Sequence, residues 1–168
     1  MTDHLEEDSF RTSILYWIGV LEQMSNQQFV QEIGGGKSDV SIWRTLSILS
    51  ELSGLTISEL SRHTQIERTA LSHLLTLMES QEMVERRPRE GDKRIFEVHI
   101  LPRGRETFAH MLPIRRAVFR RATDGVSPEE LQAMMGTLHK LIDNLSAAAP
   151  PPRPRKAGRK AQESQPPK

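Results

Sequence analysis

The densest group of reactive side chains in this 168-residue sequence lies between Arg86 and Arg94, where Arg86, Arg87, Arg89, Lys93 and Arg94 are set against only Glu90 and Asp92. Guanidinium groups at this density suit phosphate oxygens, which supply affinity, and the acceptor edges of bases, which supply specificity. A second set, Arg68, Thr69, Ser72, His73 and Thr76, lies opposite a stripe of Leu71, Leu74, Leu75 and Met78 if the segment is helical. Arginine reads guanine through two hydrogen bonds, Ser and Thr reach phosphates or bases, and His73 can do either. Each set also has a plainer reading. The first would be a solvated hairpin whose charges prevent edge-to-edge aggregation, and the second an ordinary polar helix face.

Other chemistries find little support. Gly36-Lys37-Ser38 imitates the end of a phosphate-binding loop, but Gln31 stands where the loop needs its first glycine, and a long helical pattern precedes it instead of a strand. The six histidines (His4, His63, His73, His99, His110 and His139) make no i, i+4 pair, and with no cysteine present there is no thiolate metal site or redox sensor. No triad or carboxylate pair follows from spacing, and the seven methionines read as core filler. The expectation is a protein that is not an enzyme, with no catalytic residue, metal or cofactor. No apolar run reaches membrane-spanning length, and the acidic start Asp3, Glu6, Glu7, Asp8 is unlike a secretory signal, so a cytoplasmic location without membrane contact is expected.

The net charge of +1 conceals an uneven distribution. Residues 150–168 carry six basic side chains against Glu163 alone, together with six prolines and no large apolar residue, a composition that predicts a disordered tail. The rest of the chain is slightly acidic, so any nucleic-acid site must be a local patch. The tail basic run, Arg153 to Lys160, can add sequence-independent phosphate contacts or merely aid solubility.

The elements that would position these groups are legible from periodicity. Phe10, Ile14, Trp17, Ile18, Leu21 and Met24 fall at offsets 0, 4, 7, 8, 11 and 14, predicting a helix over 10–33 that ends at Gly34-Gly35-Gly36. Asp39 reads as the N-cap of a helix over 40–52, with Trp43, Leu46 and Leu49 inward. Thr56 and Glu59 form a capping box that opens a short helix over 57–62, and a turn leads to a second helix over 67–80. This pair is a helix-turn-helix, whose second helix enters the major groove. Two strands, 84–89 and 94–100, then flank a turn at Glu90-Gly91-Asp92-Lys93. So short a hairpin must lean on the helices before it, as in a winged helix. Helices over 103–121, which Pro113 should kink, and from Ser127-Pro128-Glu129-Glu130 onward complete the chain. The expected fold is mainly α with a small β-wing.

Particular residues add to the layout. Ile57-Ser58-Glu59-Leu60-Ser61, Leu71-Ser72 with Met78-Glu79, Met83-Val84-Glu85-Arg86, and Gly91-Asp92-Lys93-Arg94 followed ten residues on by Gly104 together resemble the MarR family of multiple-antibiotic-resistance regulators. The resemblance spans about residues 10–146. It departs at Glu82, where the family usually has a glycine that shapes the end of the recognition helix. It departs also at Leu101, in place of a threonine whose capping role Pro102 can take, and at Pro113, inside a helix that many members keep continuous.

The resemblance implies a ligand-responsive transcriptional repressor. Arg94 at the wing tip would enter the minor groove, with Asp92 holding it through a charge-assisted hydrogen bond. The apolar stripes near both chain ends exceed what a winged-helix core can bury, and a homodimer built from those ends would cover them. Two-fold symmetry would then specify a pseudo-palindromic duplex operator. The implied organisation is an acidic flexible N-terminus (1–9), an N-terminal dimerisation helix (10–36), a winged helix-turn-helix DNA-binding domain (37–102), C-terminal dimerisation helices (103–147) and the basic tail (148–168). Members of the family commonly release DNA when a small aromatic or phenolic carboxylate binds between the dimer helices and the winged domain. Here that crevice would draw on Arg11, Tyr16, Trp17, Trp43, Arg44 and His110. Two other readings stay open: a ligand-independent or nucleoid-associated DNA binder, and a protein-interaction module.

Overall fold

A computed structural model of the chain describes residues 10–147; the acidic start and the basic tail lie outside the described residues. The chain divides into two compact units at the Asp124–Gly125 junction. The first holds α1 (Ile14–Ile33), α2 (Lys37–Glu51), β1 (Leu55–Thr56), α3 (Ile57–Thr64), α4 (Arg68–Ser80), β2 (Val84–Arg89), β3 (Asp92–Ile100) and α5 (Pro102–Ala122). The second holds α6 (Pro128–Ala147). The strands form one antiparallel sheet in the order β1-β3-β2, which makes the first unit a winged helix.

α1 begins four residues later than the apolar spacing predicts. Ser13 caps it by accepting the Tyr16 N–H at 3.3 Å, and the Trp17 indole N–H bonds the Arg11 carbonyl at 2.9 Å, folding the preceding turn onto the first helical turn. Gly34, in the left-handed conformation at φ 68°, closes the helix. Asp39 is not the N-cap of α2. Gly36 is, and Asp39 sits three positions inside, its carboxylate accepting the Gly36 N–H at 2.6 Å. A carboxylate serves the first turn from either place, which is why spacing alone misassigned it.

The capping box of α3 forms as predicted. Thr56 Oγ accepts the Glu59 N–H at 3.3 Å while the Glu59 carboxylate accepts from Thr56 N at 2.9 Å and Oγ at 2.7 Å. Those hydrogen bonds hold the Glu59 carboxyl below its ordinary pKa. Thr56 also belongs to β1, a strand too short to show any period, which pairs with β3 at Leu55↔Val98 and Thr56↔Glu97.

The far end of α4 closes with Glu82 N–H on the Glu79 carbonyl at 3.0 Å and Met83 N–H on the Met78 carbonyl at 2.9 Å. That pattern requires a left-handed residue between them, and Glu82 adopts it at φ 57°. The family glycine position therefore keeps its shape here despite the side chain.

In the wing only Glu90-Gly91 turns, with Gly91 at φ 84°; Asp92 and Lys93 already belong to β3. Pro88 is tolerated because β2 is an edge strand, and the register shifts between Pro88 and Arg89. Gly104, near the start of α5, meets the Met83 carbonyl so closely that an added Cβ would lie 2.2 Å from that oxygen. Only a residue without a side chain lets α5 seat there. Leu101 holds the N-cap position without a side-chain bond and Pro102 opens the helix. Pro113 does not end α5; it is exposed, where water can satisfy the carbonyl it leaves unbonded.

The core joins Phe29 of α1, Leu46 and Leu49 of α2, Leu60 of α3, Leu71, Leu75 and Met78 of α4, the wing residues Val84 and Val98, and Met111 and Val118 of α5. Taken by itself, α6 opens with the predicted box, Ser127 and Glu130 exchanging hydrogen bonds at 2.8 and 3.2 Å.

Candidate nucleic-acid interface

α4 buries Leu71, Leu75 and Met78 of the predicted stripe, leaves Leu74 half-buried, and turns Arg68, Thr69, His73 and Thr76 outward, with Ser72 half-buried. Its N-cap is a carboxylate that the sequence reading left without a role. Glu67 accepts the N–H groups of Thr69 at 2.6 Å and Ala70 at 3.3 Å, and these bonds keep its pKa low. Glutamate is not a favoured N-cap type, so spacing carried no signal for it.

The wing's five basic residues divide into two groups. Arg87 pairs with Glu85 and Arg89 with Glu97, and each hydrogen-bonded carboxylate raises its arginine's pKa. Glu85 stands two residues from Arg87 on the same face of a strand, a spacing that could have announced the pair. Glu97 needed the cross-strand register. Arg86 turns inward onto α4, with Nη1 2.9 Å from the Glu79 carboxylate and Nη2 donating to the Ser72 carbonyl at 3.0 Å and to Thr76 Oγ at 3.4 Å. Lys93 and Arg94 are exposed, and among the described residues neither side chain has an ion-pair partner. Asp92 does not grip the Arg94 guanidinium as expected: its carboxylate accepts the Arg94 main-chain N–H at 3.0 Å, shaping the strand start and leaving the guanidinium clear. The result is a surface where Arg68 and His73 on α4 and Lys93 and Arg94 on the wing present uncommitted donors. Its hairpin is short enough to enter a groove.

A MarR family model matches residues 39–95, from α2 through the wing. The HTH-type transcriptional repressor IacR of Pseudomonas putida is 25% identical over 130 residues, covering 77% of this chain and 78% of that protein. A MarR family transcriptional regulator from Silicibacter pomeroyi superposes with a TM-score of 0.71 at 26% identity, covering 81% of this chain and 92% of that one. Residues 39–95 thus match the MarR family, and over about four fifths of its length the chain is similar to MarR-family transcriptional regulators. It is a transcriptional regulator, and its relatives are regulators, not enzymes. The same fold occurs in BpsR of Bordetella bronchiseptica, whose DNA binding is regulated by 6-hydroxynicotinic acid (TM-score 0.67, 17% identity, 80% of this chain and 96% of that one). Among the described residues no helix of this protein is long and apolar enough to cross a membrane, and no group of His, Asp and Glu is arranged to hold a metal.

The six residues considered for an effector do not form one cluster. Tyr16 packs edge-on against Phe10 and Trp17 at the start of α1, and Arg11 lies over the Phe10 ring. Trp43 stacks on Phe108 at 5.1 Å and tilts against Phe29, so it serves the core. His110 is exposed on α5. Arg44 is ion-paired to Glu22 in a crevice that runs past Ser47 and Ile48 to His63, Thr64 and Gln65 at the helix-turn-helix bend. The sequence reading missed Arg115. It is half-buried, donates to the Ser25 carbonyl and Asn26, and lies over the Phe29 ring. Burial, and next the charge of Arg44, push its pKa down, while Glu22 opposes both. No local spacing links residues 22, 44 and 115, so only tertiary structure could reveal that the Arg115 guanidinium lies within electrostatic reach of the Arg44–Glu22 pair.

Proposed function

We propose that this regulator represses transcription as a two-fold homodimer on a pseudo-palindromic duplex, and that a small aromatic acid releases it. The observation that carries the reading is the set of uncommitted donors, Arg68 and His73 on α4 with Lys93 and Arg94 at the wing tip, on a helix-turn-helix unit. α4 lies in the major groove, where Arg68, Thr69, His73 and the half-buried Ser72 meet base edges and phosphates. Arg94 enters the adjacent minor groove, where a guanidinium finds the most negative potential. Arg87 and Arg89 are already paired with Glu85 and Glu97, each pair carrying no net charge, so their part is smaller. The exposed apolar stripes of α1 and of α6 are each covered by the second copy, which sets the two recognition helices about one DNA turn apart.

The effector's carboxylate goes to Arg44 and Arg115, where the charge exceeds what Glu22 alone can balance. Bound there, beside the bend at His63 to Gln65, it favours the conformer whose recognition helices are wrongly spaced, and DNA is released. The chemistry fits the heteroaromatic acid that regulates BpsR, a protein of the same fold.

Arg94→Ala should weaken binding to a selected operator by more than about tenfold with the dimer intact, as loss of a specific groove contact does. Unchanged affinity would remove the wing tip from the interface. Thermal-shift screening of aromatic acids should give a hit that Arg44→Ala abolishes. A blank screen would favour the ligand-independent DNA binder.

A further inference from the structure

We propose that Arg86 is a positioning residue that locks the wing to the recognition helix and makes no DNA contact itself. The proposal rests on the DNA-binding reading above. One carboxylate grips both parts of this residue. Glu79 on α4 accepts the Arg86 main-chain N–H at 3.0 Å with one oxygen and the guanidinium at 2.9 Å with the other. The second arm of the guanidinium reaches the Ser72 carbonyl and Thr76 Oγ, and Thr76 in turn donates to Ser72 at 3.1 Å. Ser72 and Thr76 thus turn polar atoms toward the wing, and Thr76 has less to offer DNA than its exposure suggests.

The remaining nitrogen of the fork, Nε, is buried with no hydrogen-bond partner among the described residues. Leaving such a donor unbonded is unfavourable, and an arginine serving as a DNA contact would turn it to water or phosphate. Here the fold holds it inward. Beyond Arg86 no hydrogen bond or ion pair among the described residues joins the wing to α4, and Arg87 and Pro88 are exposed. From Arg86 the strand runs about 13 Å to the turn at roughly 3.3 Å per residue, so a swing of about 15° would carry the tip some 3 Å. That is as large as a whole hydrogen-bond length. Arg94 can engage its groove while α4 occupies the next only if this pivot is fixed.

The test is a double-variant cycle on the full chain. Fluorescence anisotropy over a salt series would measure wild type, Arg86→Met, Arg94→Ala, their combination and Glu79→Ala on a duplex selected by the wild-type protein from a random pool, with thermal unfolding of each protein recorded. Arg86→Met is expected to weaken binding by about tenfold, and adding Arg94→Ala should cost less than about a further twofold, because the wing contact is already lost. Both single variants and the double should lower the salt slope by the same amount. Glu79→Ala should also weaken binding, although removing an acidic group beside a DNA surface otherwise strengthens it. If Arg86→Met fails to fold, Glu79→Ala carries the same cycle with Arg94→Ala. Additive losses with the salt slope falling at each step would make Arg86 a phosphate contact, and a Glu79→Ala protein that binds as well as wild type would likewise overturn the proposal. A wild-type protein that selects no duplex would sink the DNA-binding reading itself, which separates the two failures.

Discussion

α4 and α1 carry apolar stripes of the same period and meet opposite fates. In α4, Leu71, Leu75 and Met78 are 0% exposed, whereas in α1 Trp17 and Leu21 are 53% exposed and Met24 54%. Within its own unit the far half of α1 reaches the core, through Phe29 against Trp43 and beneath the Arg115 guanidinium. A stripe of period 3.6 states that one face of a helix must leave water, and says nothing of whether its cover lies in the same chain. α6, in its own unit, repeats the α1 case with Met134, Met135, Ile142 and Leu145 exposed. The inner stripe builds the frame of the DNA-reading unit, and the outer ones are where we place the second copy.

The comparison can be broken on either side. On the inner side, Leu75→Ala should destabilise the chain by about 2–5 kcal/mol in chemical denaturation, the usual cost of a cavity in a closed core. A loss as small as that of a surface residue would mean that α4 is not held by its stripe. On the outer side, Leu21→Asp should leave protomer secondary structure intact by circular dichroism while light scattering reports a monomer. Operator affinity should then fall by at least about tenfold, since two half-sites no longer act together. A Leu21→Asp protein that stays dimeric would move the interface elsewhere. The smallest effect lies at the end of α4. Glu82→Gly should raise stability by about 1 kcal/mol, the penalty that a side chain adds in the left-handed conformation, read as a higher denaturation midpoint. A loss of stability would show that the Glu82 side chain contributes more than its backbone costs.

Much of the frame was legible because its signals are local. The Thr56–Glu59 and Ser127–Glu130 boxes, the leucine stripe of α4 and the change of period at Val84 involve residues within a few positions of one another. Errors arose where two local solutions are nearly equivalent. Asp39 serves the start of α2 from inside the helix as well as it would from the cap, and the hairpin turn is two residues shorter than its polar run suggested. β1 was invisible because two residues carry no period.

The candidate site was less legible than the frame. That a basic helix-turn-helix and wing would be present followed from residue types and spacing alone, as did the outward face of α4. Which cations remain uncommitted did not. Arg86 and Arg89 look equivalent to Lys93 and Arg94 in sequence, yet Glu79 reaches Arg86 only once the wing packs on α4, and Glu97 reaches Arg89 only once the strands pair, whereas Arg87 has Glu85 two residues away on its own strand. In the same way Arg115 joins Arg44 and Glu22 only when α5 lies across α1. Periodicity and capping depend on neighbours along the chain and can be read from it. Charge pairing depends on neighbours in space, so the commitment of Arg86, Arg89 and Arg115 was decided by the tertiary structure.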